Sequence, residues 1–199
     1  MMRRRHRREE ILDAALRCFA EAGIGGTTVG DIRGRAGATT GSLYHFFDGK
    51  DALVGALYVD VLRRYQHDLA GRLGRHRTAR AGVRAIVEHY LGWVEAHPDD
   101  ARFLFDARRS EAVAAVDAEV QALNAELLGV VRGWLRPHVD KGEILDHPMD
   151  VLLAVVIAPA AAFAREWLAG QTRTELRRAR VVLADAAWAS LARPGKEDA

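Results

Sequence analysis

The sequence predicts an all-α protein, and three features carry that expectation. Alanine, arginine and leucine dominate its 199 residues, while aromatic residues make up only 7%, a composition that favours helices. Apolar residues recur at helical spacing along most of the chain. Clusters of glycine and proline punctuate those runs at intervals that suit helix ends. About nine helices are expected, enough to bury one or two small cores.

The first helix is expected from about Arg7 to Ala22. Ile11, Ala15 and Phe19, with Leu12 and Leu16, repeat at four-residue steps, and Gly23, Gly25 and Gly26 end it. Thr28 and Asp31 have the spacing of a capping box, so a second, short helix starts there with Val29, Ile32 and Ala36 facing inward. Gly37 stops it and Ala38 bridges a tight turn. Thr39 is a natural N-cap for a third helix over about Thr40–Phe46. Leu43 and Phe46 or Phe47 form its buried side. Thr40, Gly41, Ser42, Tyr44 and His45 are left pointing outward. An ordinary surface helix carries Glu, Lys and Arg there. Hydroxyls, a tyrosine and a glycine suit contact with phosphates and base edges. Two short helices joined by a tight turn are the layout of a helix-turn-helix DNA reader. A helical hairpin inside a larger core is the plainer alternative.

Charge adds a weak pointer in the same direction. Residues 1–50 hold nine Lys or Arg against six Asp or Glu, a balance of +3, whereas the whole chain is +2. A basic front end on a near-neutral body suits a polyanion partner, although a solvated charge run gives the same count. The Arg3–Arg8 segment is expected to lie along a phosphate backbone or to remain a basic tail. Lys50, at the start of the fourth helix, is placed to reach a flanking phosphate.

The stretch TTVGDIRGRAGATTGSLYHFFDGKDAL resembles the N-terminal domain of the TetR family of bacterial transcriptional regulators. The likeness runs from about Glu9 to Leu53, roughly a quarter of the chain. It implies DNA contacts from Thr28, Thr39, Thr40, Gly41, Ser42, Tyr44, His45 and Lys50. Two residues depart from the usual pattern. Arg33 stands where a small residue is common and is expected to add a contact, and Thr40 stands where a lysine or arginine is common.

The body after Asp51 reads as helix almost throughout: about 51–73, 79–96, a short helix opened by Asp99 or Asp100, 113–135 stopped by Pro137, 149–169 and 174–192. Residues 1–50 are therefore expected to form the DNA-binding domain, with its motif at about 28–47. Residues 51–193 form an effector-binding and dimerisation domain, and 194–199 a disordered tail. The run Val151–Ala164 is apolar nearly all round, so one core face does not cover it. With the last helix it is the expected dimer interface, carried by Val155, Ala162, Val181, Ala184, Trp188 and Leu191. Dimerisation is required if one short recognition helix reads too few base pairs.

Tyr90, Trp93, Phe103, Phe105, Arg109, Trp134, Phe163 and Trp167 give apolar walls with a few polar groups. They suit a small-molecule pocket or an ordinary core. The family resemblance implies the pocket, with a largely apolar or aromatic effector and release of an operator by a homodimer. No cofactor, metal or catalytic residue is expected: there is no nucleophile elbow, phosphate-binding loop or zinc-protease motif. Glu88-His89, His138 with Asp140, and Asp146-His147 read as surface or capping pairs. The single Cys18 fits a core position in a reducing cytosol, and the N-terminus shows no signal peptide. The apolar run at 151–164 is too short to span a membrane, so it is expected to be a buried helix. A nucleoid-type DNA binder without an effector is the rival function.

Overall fold

A computed structural model describes residues 2–193, with side chains from His6 onward. The 194–199 segment, expected as a tail, lies outside the described residues, as do the side chains of Arg3, Arg4 and Arg5. The elements are α1 (Met2–Gly26), α2 (Val29–Arg35), α3 (Thr40–Phe46), α4 (Lys50–Leu73), α5 (Ala79–Ala96) and α6 (Pro98–Ala107). They continue with α7 (Glu111–Ala114), α8 (Asp117–Asp140), α9 (Met149–Val156), α10 (Ala158–Leu168) and α11 (Leu176–Leu191). Among the described residues, the only strand-like pairing is an isolated antiparallel bridge between Ile144 and Ala192. The all-α expectation is met.

The chain divides into two compact units. The first comprises residues 1–64 and 99–122, the second residues 65–98 and 123–199. In the first, α1 contributes Ile11, Leu12, Ala15, Cys18 and Phe19 to the core, all nearly inaccessible, and it meets Ile32 and Leu43 at 0% exposure. Phe19 stacks face to face on Phe103 at 5.6 Å. The nearly buried carboxylate of Asp100 receives a hydrogen bond from Arg64 Nη2 at 3.0 Å, which fastens α6 to the end of the unit's portion of α4. Burial pushes the Cys18 thiol up from its ordinary pKa, as expected of a core thiol rather than a nucleophile.

In the second unit, α5 and α11 form the most extensive helix pair, and α9 and α10 lie against both. Val83, Val87, Leu91 and Val94 of α5 supply the apolar seam, with Ala184, Ala187 and Leu191 of α11 also buried. Ion pairs of Arg84 with Asp185 and of Arg180 with Glu95 flank it. At Gly82 the edge of Trp134 comes so close that an added Cβ would lie 2.0 Å from its ring. The indole Nε1 donates to the His76 carbonyl at 3.1 Å.

Several boundaries depart from the sequence expectation, each for a physical reason. α1 starts at Met2 rather than about Arg7, and its helical geometry breaks at Gly23. Pro137 does not stop its helix, which runs to Asp140. One lost amide hydrogen bond is tolerated where Leu135 and His138 on either side are buried. His138 is thus a core residue and not a surface one, with Nδ1 2.7 Å from Glu143. His89 is likewise inside, stacked on Tyr65 at 5.4 Å. The expected helix over 149–169 is two, α9 and α10, meeting at Ile157 just before Pro159. Together they are long and apolar enough to resemble a membrane span, yet little of this stretch is fully buried within the single chain. The expectation of one buried helix is therefore corrected to a pair of half-covered ones.

Candidate nucleic-acid interface

The reader is assembled from local caps inward. Thr28 and Asp31 close a full capping box: the Thr28 amide donates to Asp31 Oδ2 at 2.8 Å and the Asp31 amide to Thr28 Oγ1 at 3.2 Å. The Thr28 hydroxyl also donates to Asp31 Oδ2 at 2.7 Å, and this bond, with that from the Thr28 amide, favours the carboxylate and holds the Asp31 pKa below its ordinary range. Thr39 caps α3 by accepting from the Ser42 amide at 3.1 Å. The turn between the helices closes through hydrogen bonds from the Ala38 amide to Arg33 O and from the Gly37 amide to Gly34 O. Gly37 has a φ of +55°, left-handed geometry that glycine adopts at low cost.

Two further contacts lock this turn to α1. Arg7 donates from Nη1 to the Ala36 carbonyl at 3.1 Å and from Nη2 to the Gly37 carbonyl. Arg8 lies over the Phe47 ring, 5.5 Å from its centroid. Lys50 donates to the carbonyls of Ile24 and Thr27 at 3.0 and 3.2 Å. It thereby satisfies acceptors left over where α1 ends. Arg7, Arg8 and Lys50, each expected to approach phosphate, are engaged with their own chain. For Lys50 one of its three donor protons is left for a phosphate.

With the frame held this way, α3 buries Leu43 and the adjoining Phe47 and turns Thr39, Thr40, Gly41, Tyr44 and His45 to solvent. Tyr44 is 52% exposed although it is large and aromatic. Ser42 is half-buried, and Thr28 and Arg33 are exposed on the adjacent helix. Arg33 Nη1 donates to Thr40 Oγ1 at 2.8 Å, a link between the two helices that sequence reasoning did not anticipate. The helix is about 10 Å long, short enough to lie across a major groove.

The residues expected to line an effector pocket are divided between the two units. Phe103, Phe105 and Arg109 belong to the first unit, where Phe103 is committed to Phe19 and Arg109 is exposed. The others belong to the second. There Trp93 and Tyr90 surround Tyr65 with ring centroids at 5.1 and 6.0 Å. Tyr65, absent from the sequence expectation, is the centre of this cluster, and burial raises its hydroxyl pKa strongly. Trp134 is occupied by His76, Gly82 and His138. Phe163 and Trp167 are half-buried on α10.

Of the residues expected at a dimer interface, Ala184 and Leu191 are buried within the chain. Val155 and Trp188 are half-buried, Ala162 is exposed and Val181 is 51% exposed. Val182, next to it, is 59% exposed, and Val151 and Leu153 on α9 are each 41% exposed. No group of three or more His, Cys, Asp or Glu suited to a metal is present among the described residues.

Residues 11–57 match the family of bacterial regulatory proteins described as the tetR family. The repressor KstR2 of Rhodococcus jostii is 32% identical over 147 residues, covering 67% of this chain and 70% of that protein. The regulator BetI of Burkholderia thailandensis is 42% identical over 86 residues, 41% of this chain and 42% of that one. A TetR family transcription regulator from Marinobacter aquaeolei has the same fold, with a TM-score of 0.77 at 22% identity over 96% of this chain and 99% of its own. FadR of Bacillus subtilis, solved with stearoyl-CoA, shares the fold with a TM-score of 0.77 at 16% identity, covering 90% and 96%.

Proposed function

The chain belongs to the TetR family of bacterial regulatory proteins, transcription regulators and not enzymes, and on that premise we propose a homodimeric, ligand-responsive repressor of a palindromic operator. The observation that carries the proposal is the exposed α3 face, Thr39, Thr40, Gly41, Tyr44 and His45, on a helix whose other side is locked by Leu43 and Phe47. A hairpin that served only a core would have no reason to leave Tyr44 half in water. In the proposed complex one α3 enters each of two successive major grooves, about 34–36 Å apart. Repression is supported by the relative named as a repressor, and the site of action is the cytoplasm, where the chromosome is.

Dimerisation is supported by the apolar residues that α9 and α11 leave exposed, Val151, Leu153, Val181 and Val182. Two such helices from each chain would make a four-helix interface. Ligand control is supported by FadR, whose shared fold holds stearoyl-CoA, a molecule with a long apolar chain. In this chain the aromatic cluster of Tyr65, Tyr90 and Trp93 offers apolar walls for such a ligand. Such a ligand acts by preferring a separation of the two readers that misfits adjacent grooves, and its effect is bounded by its differential affinity for the two states.

Replacing Tyr44 with alanine tests the recognition face. The variant is expected to lose at least tenfold in operator affinity while sedimenting as the same dimer. Unchanged affinity would place the DNA contact elsewhere.

A further inference from the structure

Residues 27–50 hold three Lys or Arg side chains, and each has a different engagement. Arg35 is paired with both carboxylate oxygens of Glu21. Lys50 caps the carbonyls of Ile24 and Thr27. Arg33 reaches instead from α2 to the first residue of α3, where its Nη1 donates to Thr40 Oγ1 at 2.8 Å with both side chains exposed. One of its five donors is used there, and the planar fork keeps four. Thr40 in turn restricts the guanidinium before any DNA arrives, so less side-chain freedom is lost on contact.

We propose that Arg33 and Thr40 form one base-reading unit. In it Thr40 is a positioning residue, and the Arg33 guanidinium takes the N7 and O6 acceptors of a guanine in the major groove. The inference rests on α3 being the recognition helix, as proposed above. A bidentate arginine is the side chain best matched to guanine. A tether to a hydroxyl on α3 holds it, still exposed, on the side of α3 that carries Thr40 and Tyr44. The pair spans the turn that Arg7 fixes.

Selection from a random duplex pool by the full-length protein tests this directly. The wild type is expected to enrich a symmetric site with one guanine in each half that Arg33→Ala and Arg33→Lys no longer require. The preference for that base pair should fall about tenfold or more, with the remaining positions kept. Thr40→Val should weaken the same position and Thr40→Ser restore it. The double variant Arg33→Ala, Thr40→Val should be no worse than Arg33→Ala alone. Two results would overturn the inference while leaving the regulator intact. One is a uniform loss of affinity for all sequences with a shallower salt dependence, the mark of a phosphate contact. The other is an unchanged selected site. If the wild type enriched no sequence at all, the regulator reading would fall, and this inference with it.

Discussion

At the scale of single residues, the side chains that frame the reader act mostly through backbone carbonyls. Arg7 is the clearest case, since its two bonds to Ala36 and Gly37 hold the turn on which the placing of α3 depends. Arg7→Ala is expected to destabilise the protein by about 1.5 kcal/mol, the scale of a hydrogen bond to a charged group, and to weaken operator binding. A melt unchanged within a degree would show the clamp to be idle. His89 supplies a second prediction. Burial dominates its surroundings, and although the Asp68 carboxylate 3.7 Å away opposes it, the imidazole pKa is lowered. The folded chain therefore binds a proton less readily than the unfolded chain. The stability associated with His89 is present near neutrality and declines as pH falls through the ordinary histidine value of about 6.5. Melting temperature followed from pH 7.5 to 5 should fall more steeply for the wild type than for His89→Gln. The caps at Thr28 and Thr39 were legible in the sequence because each bond spans three residues. The engagements of Arg7 and Lys50 were not, because their acceptors lie 23 to 30 residues away and carry no side-chain signature.

At the scale of helices, the periodicity located every long element, and what it missed were interruptions whose cost tertiary packing absorbs. Pro137 inside α8 and the break between α9 and α10 are both of this kind. The short α7 was missed because four residues give no period to read. Gly82 shows packing that no pattern could reveal: its missing side chain makes room for the Trp134 ring. Gly82→Ala should force that ring aside, break its bond to His76 and cost about 1–3 kcal/mol, the usual penalty for overpacking. Fluorescence of the tryptophans and the chemical denaturation midpoint would register the change. A midpoint at or above the wild-type value would contradict the packing described here.

For the whole molecule, family and reader were legible because a helix-turn-helix is a local structure written in one continuous stretch. An effector pocket was not legible in the same way, since aromatic side chains at helical spacing serve a core and a pocket alike. Phe103 and Trp134 proved to have core partners, whereas Tyr65 at the centre of the cluster gave no signal of its own. The apolar surplus of α9 and α11 makes dimerisation a prediction at this scale. Sedimentation equilibrium at micromolar concentration should give twice the chain mass, and Val181→Glu with Val182→Glu should shift it to monomer without loss of helical signal. A stable monomeric wild type would remove the basis for a two-fold operator. The central claim, sequence-specific binding through α3, is tested most directly by affinity for the selected palindrome and for a scrambled duplex as salt is raised. Non-specific binding weakens steeply with salt, so the predicted result is a preference of at least a thousandfold that persists when the scrambled duplex has been released. Equal affinity for both duplexes at every salt concentration would contradict the account.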